Sequence, residues 1–256
     1  MKSILVQKFS GIIRSIKLTK DQSLLCIENV QEKSSIPSYS IINLKETKLL
    51  ESNIVVKPSK TIVLKAIVGN LLILNEYSNG QNPDKAKAIV YDYNNKKIKW
   101  EKDDFKIIDI NGKLIKSPHQ YFEGRHSYWD IESGSIVESV ENENPKTNKN
   151  QYFPLCYPET NEHFSQFVHF ISGQKNHIPR ISCEYLEINN KIIISYYYME
   201  NEALSNSLIV LDSHGQTVES INLGKNLKGI GKDTFFAIEN QLIFISHKNI
   251  LNIYEV

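Results

Sequence analysis

The chain has 256 residues, of which 41% are hydrophobic and 23% are charged, and its formal net charge is +1. A chain of this length can bury a sizeable core without disulfides or metal. All-β folds often use this length as one domain, so we expect a single domain over 1–256. The near-zero net charge excludes the basic field that binds nucleic acid or anionic lipid through bulk electrostatics, and we expect no nucleic-acid partner.

Three features of the sequence indicate a cytoplasmic protein. The apolar run near the start, residues 4–6, is too short for the core of a signal peptide. No stretch approaches the roughly 18 uncharged apolar residues of a membrane span. Cys26, Cys156 and Cys183 cannot all pair with one another, and no C-x-x-C is present, so we expect buried, reduced thiols. We therefore expect a cytoplasmic monomer.

Short runs rich in Ile, Val, Tyr and Phe alternate with polar residues along the whole chain. This period of two is typical of half-buried strands. Tight polar turns interrupt the runs and predict five hairpins. Their turn centres lie near Gln22, Asn70, Gly112, Asn190 and Asn240.

A second pattern follows each hairpin: an apolar pair, an acid or amide, a short turn and another alternating run. The interval between the third and fourth copies is about twice the others, which predicts a missing copy near residue 171, with a turn at Ser172–Gly173. The copies lie at Asn43, Asp92, Asp130, Asp212 and Glu255.

Together the two patterns give four strands about every 42 residues, which is typical of a propeller blade. We predict an all-β β-propeller with six four-stranded blades, the sixth being a degenerate blade between about 141 and 180. Five blades with an insertion at about 141–180 is the alternative. A pair of β-sandwiches explains the period less well.

The two ends of the sequence predict how the last blade is completed. The chain ends on a third-strand pattern, ILNIYEV, and begins with KSILVQKF, which has the pattern of an outer strand. We expect the N-terminal strand to pair into the last blade, where its main-chain hydrogen bonds would protect an open edge.

The stretch VYDYNNKKIKWE, residues 90–101, resembles the quinoprotein-like repeats of the β-propeller group, and the blades as a whole are also similar to WD40-like repeats. The other copies lack the Trp of this stretch, and Trp-Asp occurs once, at Trp129-Asp130. The resemblance implies a propeller that serves as an enzyme, a ligand binder or a scaffold, so it leaves the function open.

The longer loops between second and third strands are expected to share one face with the links between blades, and loops on a rigid scaffold are where binding usually occurs. The densest polar and aromatic cluster lies in PHQYFEGRHSYWD, and an acidic pair lies in the link EKDDF. A long loop whose strand aromatics only pack between blades is the alternative. The candidate binding residues are His119, Tyr121, Glu123, Arg125, His126, Trp129, Asp103 and Asp104.

Three histidines in the degenerate segment, His163, His169 and His177, are weak candidates for metal ligands. Their spacing matches no standard zinc motif. His163 and His169 are an even number of residues apart, so on one straight strand they would face the same side. A structural or exposed role is the alternative, and we expect no cofactor.

The predicted function is a non-catalytic propeller that binds a protein or a small-molecule ligand through its long-loop face. The alternative is a propeller enzyme, a metal-assisted hydrolase or lyase acting on a sugar- or lactone-like substrate, whose metal ligands would come from several blades. A quinone-dependent dehydrogenase is disfavoured, since it would need more blades and a regular Trp.

Overall fold

The computed structural model describes residues 1–77, 85–138 and 150–256. These residues contain 22 strands and one α-helix, which confirms the predicted all-β class. No helix in these three ranges is long and apolar enough to cross a membrane. The chain divides into two compact units, one of residues 1–9 and 149–256 and the other of residues 10–148.

The unit of residues 10–148 contains three four-stranded antiparallel sheets, in each of which neighbouring strands follow one another along the chain. Sheet I consists of β2–β5, sheet II of β6–β9 and sheet III of β10–β13. The strands up to this point are β1 (Lys2–Lys8), β2 (Ile12–Leu18), β3 (Leu24–Val30), β4 (Pro37–Asn43), β5 (Lys48–Ile54), β6 (Ile62–Val68), β7 (Leu71–Tyr77), β8 (Ala86–Asp92), β9 (Lys97–Lys102), β10 (Asp109–Asn111), β11 (Leu114–Pro118), β12 (His126–Asp130) and β13 (Ile136–Val137).

The other unit contains two five-stranded antiparallel sheets and the helix. Sheet IV has the order β15-β16-β17-β18-β19, and sheet V has the order β1-β22-β21-β20-β14. The elements are β14 (Gln151–Tyr152), β15 (Leu155–Pro158), α1 (Phe164–Lys175), β16 (Pro179–Ile188), β17 (Lys191–Glu200), β18 (Ala203–Leu211), β19 (Thr217–Leu227), β20 (Phe235–Ile238), β21 (Gln241–Ser246) and β22 (Ile250–Glu255).

The N-terminal strand completes the last sheet, as the sequence predicts. β1 runs antiparallel to β22, with Lys2 opposite Glu255 and Lys8 opposite Ile250. Beyond the end of β1, the Phe9 amide donates a hydrogen bond to the Asn249 carbonyl at 2.8 Å. Sheet V is therefore built from both ends of the sequence.

The recurring acid or amide has a defined role at the end of the third strand. β4, β8 and β12 end at Asn43, Asp92 and Asp130, and Asp212 follows β18 directly. In each case the side-chain oxygen accepts a main-chain N–H of the following turn, for example from Asn95 to Asp92 at 3.0 Å. Such side chains mimic a backbone turn, which explains why Asp or Asn occupies these four positions.

The degenerate sixth blade is not formed by residues 150–180. This stretch gives β14 to sheet V, β15 to sheet IV, and the helix α1. The predicted copy near residue 171 is wrong, because Ser172 and Gly173 lie inside α1. The described residues therefore form five sheets, in line with the alternative of five blades with an insertion, and the rest of the predicted blade falls on 139–149, outside the described residues.

Helix α1 covers one face of sheet IV. Its buried residues Phe164 and Ile171 pack with Cys183, Tyr196 and Tyr198. The opposite face of sheet IV packs against sheet V through a second apolar cluster. Tyr196 and Tyr198 therefore face the helix side, while the neighbouring strand side chains of opposite parity face sheet V, as the strand alternation predicts.

The three cysteines are free, as expected. Cys26 and Cys183 are buried, and burial raises the pKa of the Cys183 thiol to about 12. The expectation of a buried thiol is wrong for Cys156, which is exposed on the short strand β15.

Neighbouring sheets are joined by buried polar side chains that accept main-chain N–H groups from the next sheet or from the link that leads to it. Asn75 on β7 is fully buried; its carboxamide oxygen accepts the Ile107 N–H at 3.0 Å, and its NH2 donates to the Phe105 carbonyl at 3.1 Å. This ties sheet II to the link that enters sheet III. The NH2 group also donates to the Lys87 carbonyl at 3.2 Å, so every polar atom of the side chain is used.

Two glutamates make the corresponding contacts at other sheet junctions. Glu28 on β3 accepts the Leu64 N–H at 3.0 Å and is paired with Arg14, whose guanidinium also donates to the Ile62 carbonyl. The hydrogen bond to Glu28 raises the pKa of Arg14. Glu184 on β16 accepts the main-chain N–H groups of Asp233 and Thr234, at 2.6 and 2.8 Å, just before β20.

Replacement of Asn75 tests the first of these junctions. Asn75→Ala leaves the Ile107 N–H and two carbonyls without their partner, and unsatisfied buried groups are costly. We expect the free energy of unfolding to fall by roughly 3 kcal/mol in urea denaturation. The exposed turn variant Asn94→Ala should stay within about 0.5 kcal/mol of the wild type, and equal effects for the two variants would contradict the assigned role.

A pair of turn glycines tests the contact between sheets II and III. Gly134 and Gly215 both have positive φ, +67° and +76°, but a Cβ on Gly134 would lie 2.9 Å from the Trp100 ring, whereas one on Gly215 would meet nothing within 4 Å. Both Gly→Ala changes should cost about 1 kcal/mol for the left-handed backbone. Gly134→Ala should cost about 1–3 kcal/mol more from the steric overlap, as measured by thermal or urea unfolding. Equal losses would show that Trp100 moves aside freely.

Candidate functional site

A cavity of about 820 Å³ opens where the link between β9 and β10 meets the loop between β11 and β12. These are the two kinds of connection that the sequence places on one face, a link between blades and a loop between second and third strands. The cavity brings together five of the eight predicted binding residues: Asp103, Asp104, His119, Tyr121 and Trp129.

Lys102 and Trp129 form the wall of the cavity. The Lys102 ammonium lies 3.4 Å from the centre of the Trp129 ring, a cation–π contact, and Phe105 packs edge-on against the same ring at 5.2 Å. The Trp129 indole N–H donates to the Ser117 hydroxyl at 3.0 Å, which fixes the ring plane. Burial lowers the pKa of Lys102.

His119 organises the loop that forms the rim of the cavity. Its Nδ1 accepts the main-chain N–H groups of Tyr121 and Phe122, at 3.1 and 3.3 Å. The main-chain N–H of His119 donates to the Arg125 carbonyl at 2.9 Å. The Phe122 ring lies 4.9 Å from the imidazole. Because Nδ1 is used as an acceptor, the imidazole edge left for a ligand is Nε2.

The acidic pair separates two cavities. Asp103 is paired with Lys87 at 3.0 Å, and it lines both the cavity beside Trp129 and a more polar cavity of about 500 Å³ beside Glu76. Asp104 lines both cavities as well and has a positive φ of 50°. Both acids thus border the same two cavities, and Asp103 is held in an ion pair with Lys87.

Three predicted residues do not line the cavity. Arg125 stacks over the Phe122 ring at 5.2 Å, and Glu123 is exposed at the tip of the loop. His126 is exposed at the start of β12, where it pairs in register with Pro118. The sequence groups these three residues with the other five, but the structure does not bring them to the cavity lining.

Sequence reasoning missed Lys102, Phe105 and Ser117. A signal was present for Lys102, since along β9 it shares the inward parity of Trp100, and every second residue of β9 is partly buried. Phe105 and Ser117 carry no such signal, because the chain changes direction in the link before Phe105 and Ser117 is one of many serines in the sequence.

The three candidate metal ligands are not brought together. His163 precedes α1, His169 is exposed on α1, and His177 follows the helix. The expectation that His163 and His169 share one side rested on a strand, and it is wrong because six residues along a helix turn the side chain to a different face. Within the three described ranges, no group of three or more His, Cys, Asp or Glu residues could hold a metal ion.

His177 instead packs against sheet IV just after the end of α1. Its ring stacks on Tyr198, with ring centres 3.8 Å apart and planes inclined by 11°, and its Nδ1 lies 3.0 Å from the Tyr196 hydroxyl. Burial lowers the pKa of His177, an effect that Lys175 and Lys225 increase and Glu200 opposes.

Five antiparallel sheets of four or five strands each, with the N-terminal strand paired into the last sheet, define the chain as an all-β protein of the β-propeller class. No family model and no curated protein matches the sequence. Among solved structures, the chain is similar to BamB from Moraxella catarrhalis, at 10% identity and a TM-score of 0.33, covering 96% of this chain and 85% of that one.

Two further solved structures have a comparable likeness. The β-propeller domain of the Trilobed protease from Pyrococcus furiosus matches at 10% identity and a TM-score of 0.32, over 94% of this chain and 78% of that one. A member of the DUF4221 family from Bacteroides vulgatus matches at 8% identity and a TM-score of 0.32, over 100% of both chains.

The lowered pKa of His177 predicts a pH dependence of stability. Between the unfolded pKa of about 6.5 and the lower folded pKa, the unfolded state binds the proton more readily, so the free energy of unfolding falls as the pH falls. We expect His177→Gln to lose less stability than the wild type between pH 7.5 and 5.5 in urea denaturation.

The matched control for this prediction is His169→Gln, on the exposed side of α1. It should keep the pH dependence of the wild type. If the slopes of all three proteins agree, His177 does not titrate as its surroundings indicate.

Proposed function

We propose that this chain is a non-catalytic binding module that takes a short segment of a partner protein on one surface. That surface, called here the loop surface, consists of residues 102–108 and 117–125. The observation that carries the proposal is the cavity of about 820 Å³, in which residues from both loops converge around Trp129.

Exposed apolar side chains around the cavity support a protein partner. Tyr121 is 79% exposed, Phe122 53% and Ile108 47%. Grouped aromatic residues of this kind are typical of interface centres, since they offer large contact area with few rotatable bonds. A cavity that is partly polar and partly apolar suits a peptide side chain together with its backbone.

The framework around the loop surface supports binding without much rearrangement. Asn75 binds two main-chain groups of the link, the Phe105 carbonyl and the Ile107 N–H, and His119 accepts two main-chain N–H groups of the opposite loop. Loops held in this way lose little conformational entropy when a ligand binds.

The proposal treats residues 1–256 as one domain. The pairing of β1 with β22 supports this, because it makes the unit of residues 1–9 and 149–256 discontinuous, with the other unit inserted in it along the sequence.

Selection from a random-peptide library tests the proposed function. Peptides enriched on the full chain should bind the double variant Tyr121→Ser/Phe122→Ser at least about tenfold more weakly, because both rings would lose their contact with the partner. Titration by fluorescence anisotropy gives the dissociation constants.

The control is Tyr152→Ser/Phe153→Ser, which removes two neighbouring exposed aromatic residues in the other unit. It should bind the same peptides as tightly as the wild type. A library that yields no binder, or binders that tolerate the loss of Tyr121 and Phe122, would refute the proposal.

A further inference from the structure

We infer that the loop surface selects a carboxylate group next to an apolar group, and that Lys102 is the residue that binds the carboxylate. This inference rests on the proposed function and adds the chemical class of the bound group. A peptide can supply such a group in two ways, as an Asp or Glu side chain or as a C-terminal carboxylate.

The first support is the state of the Lys102 ammonium. Among the residues that the structure describes, it has no hydrogen bond and no ion pair, and its contacts are the rings of Trp129 and Phe105. Two lysines on other segments differ: Lys87, on β8, is paired with Asp103 and Glu101, and Lys57, between β5 and β6, is paired with Glu101. Lys102 is thus a cation on a cavity wall whose hydrogen-bond donors are unused.

A bound carboxylate would offset the electrostatic cost of holding the Lys102 charge on the cavity wall. Burial lowers the pKa of Lys102, so the surroundings disfavour its charge. A carboxylate at hydrogen-bond distance would favour the charged form, and charge-assisted hydrogen bonds of this kind are about twice as strong as neutral ones. Binding therefore gains from a charge that the unliganded site holds at a disadvantage.

The acids in the cavity do not cancel this preference. Asp103 is already neutralised by Lys87 at 3.0 Å. Asp104 lines the cavity as well, but among the described residues it forms no ion pair with Lys102. Neither acid of the cavity is therefore paired with the Lys102 ammonium.

Apolar surface lies next to the ammonium. The Trp129 ring carries Lys102 on its face and Phe105 at its edge, and Ile108 and Ile136, 47% and 56% exposed, line the same cavity. A group that satisfies the whole site has a carboxylate for Lys102 and an apolar body for these side chains.

Two-dimensional ¹H–¹⁵N NMR of the full-length protein tests the inference. The probes are acetyl-Gly-Phe with a free carboxylate, the same peptide as its amide, and acetyl-Glu-Phe amide. We expect the two carboxylate peptides to bind about tenfold more tightly than acetyl-Gly-Phe amide. The Glu peptide binding better than the acid-terminated one identifies a side-chain carboxylate as the source, and the reverse order identifies a chain terminus.

The two tryptophans provide an internal control. The Trp129 indole N–H donates to Ser117 inside the cavity, whereas that of Trp100 donates to the Ile131 carbonyl at 2.7 Å. Binding should shift the Trp129 indole signal and leave the Trp100 signal in place. Movement of the Trp100 signal alone would place the peptide elsewhere and overturn the inference.

Lysine variants distinguish the effect of the Lys102 charge on peptide binding from general effects of substitution. Lys102→Met should weaken the carboxylate peptides by about tenfold and leave the amide peptide unchanged, and Lys102→Arg should retain the preference. Lys97→Met, at the exposed start of the same strand, should behave as the wild type. Equal binding of acid and amide peptides, or an unchanged preference in Lys102→Met, would overturn the inference.

The failure of this inference can be told apart from the failure of the proposed function. Library peptides that depend on Tyr121 and Phe122 but show no preference for a carboxylate would overturn the role of Lys102 and leave the binding module in place. Peptides that ignore those two aromatic residues would overturn both.

Discussion

The structure depends on buried side chains whose oxygens accept main-chain N–H groups from the sheet or link that follows. Strands within a sheet satisfy one another, but the segment that enters the next sheet has N–H groups with no ladder partner, and buried main-chain groups must be paired. Glu28, Asn75 and Glu184 supply that pairing at three junctions. Each lies on the face that packs against the following sheet, so apolar packing and hydrogen bonding fix the same junction. Hydrophobic contact alone would leave two sheets free to slide, because it has no direction.

The candidate site follows from this constraint. Asn75 binds the Phe105 carbonyl and the Ile107 N–H, so the link from β9 to β10 is held on both sides of Lys106. Phe105 is in turn packed against Trp129, and Lys102 lies over the same ring. The geometry of the cavity wall is therefore set by the junction between sheets II and III. Replacing Asn75 would therefore shift the cavity wall, although Asn75 does not line the cavity.

The sequence predicts most of the fold, because strand alternation and turn chemistry are local properties. The hairpin turns near Asn70 and Gly112, the acids that end the third strands, and the pairing of the N-terminal strand all follow from patterns of a few residues.

The failure to predict the helix α1 has a physical cause as well. Phe164, Phe167, Val168 and Ile171 are spaced for a helix, but the expected repeat favoured a strand at that place. Helix α1 then covers a face of sheet IV that a further sheet was expected to cover. The acceptors at the junctions could be suspected from an inward-facing acid or amide, as in residues 24–30, but their partners lie 30 to 50 residues away and cannot be read from the sequence.

The site shows a different limit of sequence reasoning, because polar and aromatic residues that are close in sequence divide between two tasks. His119 is used to fold its own loop, and Arg125 covers Phe122, so neither is primarily available to a ligand. Trp129 lines the cavity, and Lys102, which lies over its ring, comes from a different sheet. Composition predicts where such a cluster lies. Which of its side chains stay available to a ligand depends on which of them are already bonded to the backbone. Lys102 has an ammonium with unused donors among the residues that the structure describes, and its charge, placed against an aromatic wall instead of a carboxylate, is the property by which the loop surface can discriminate between ligands.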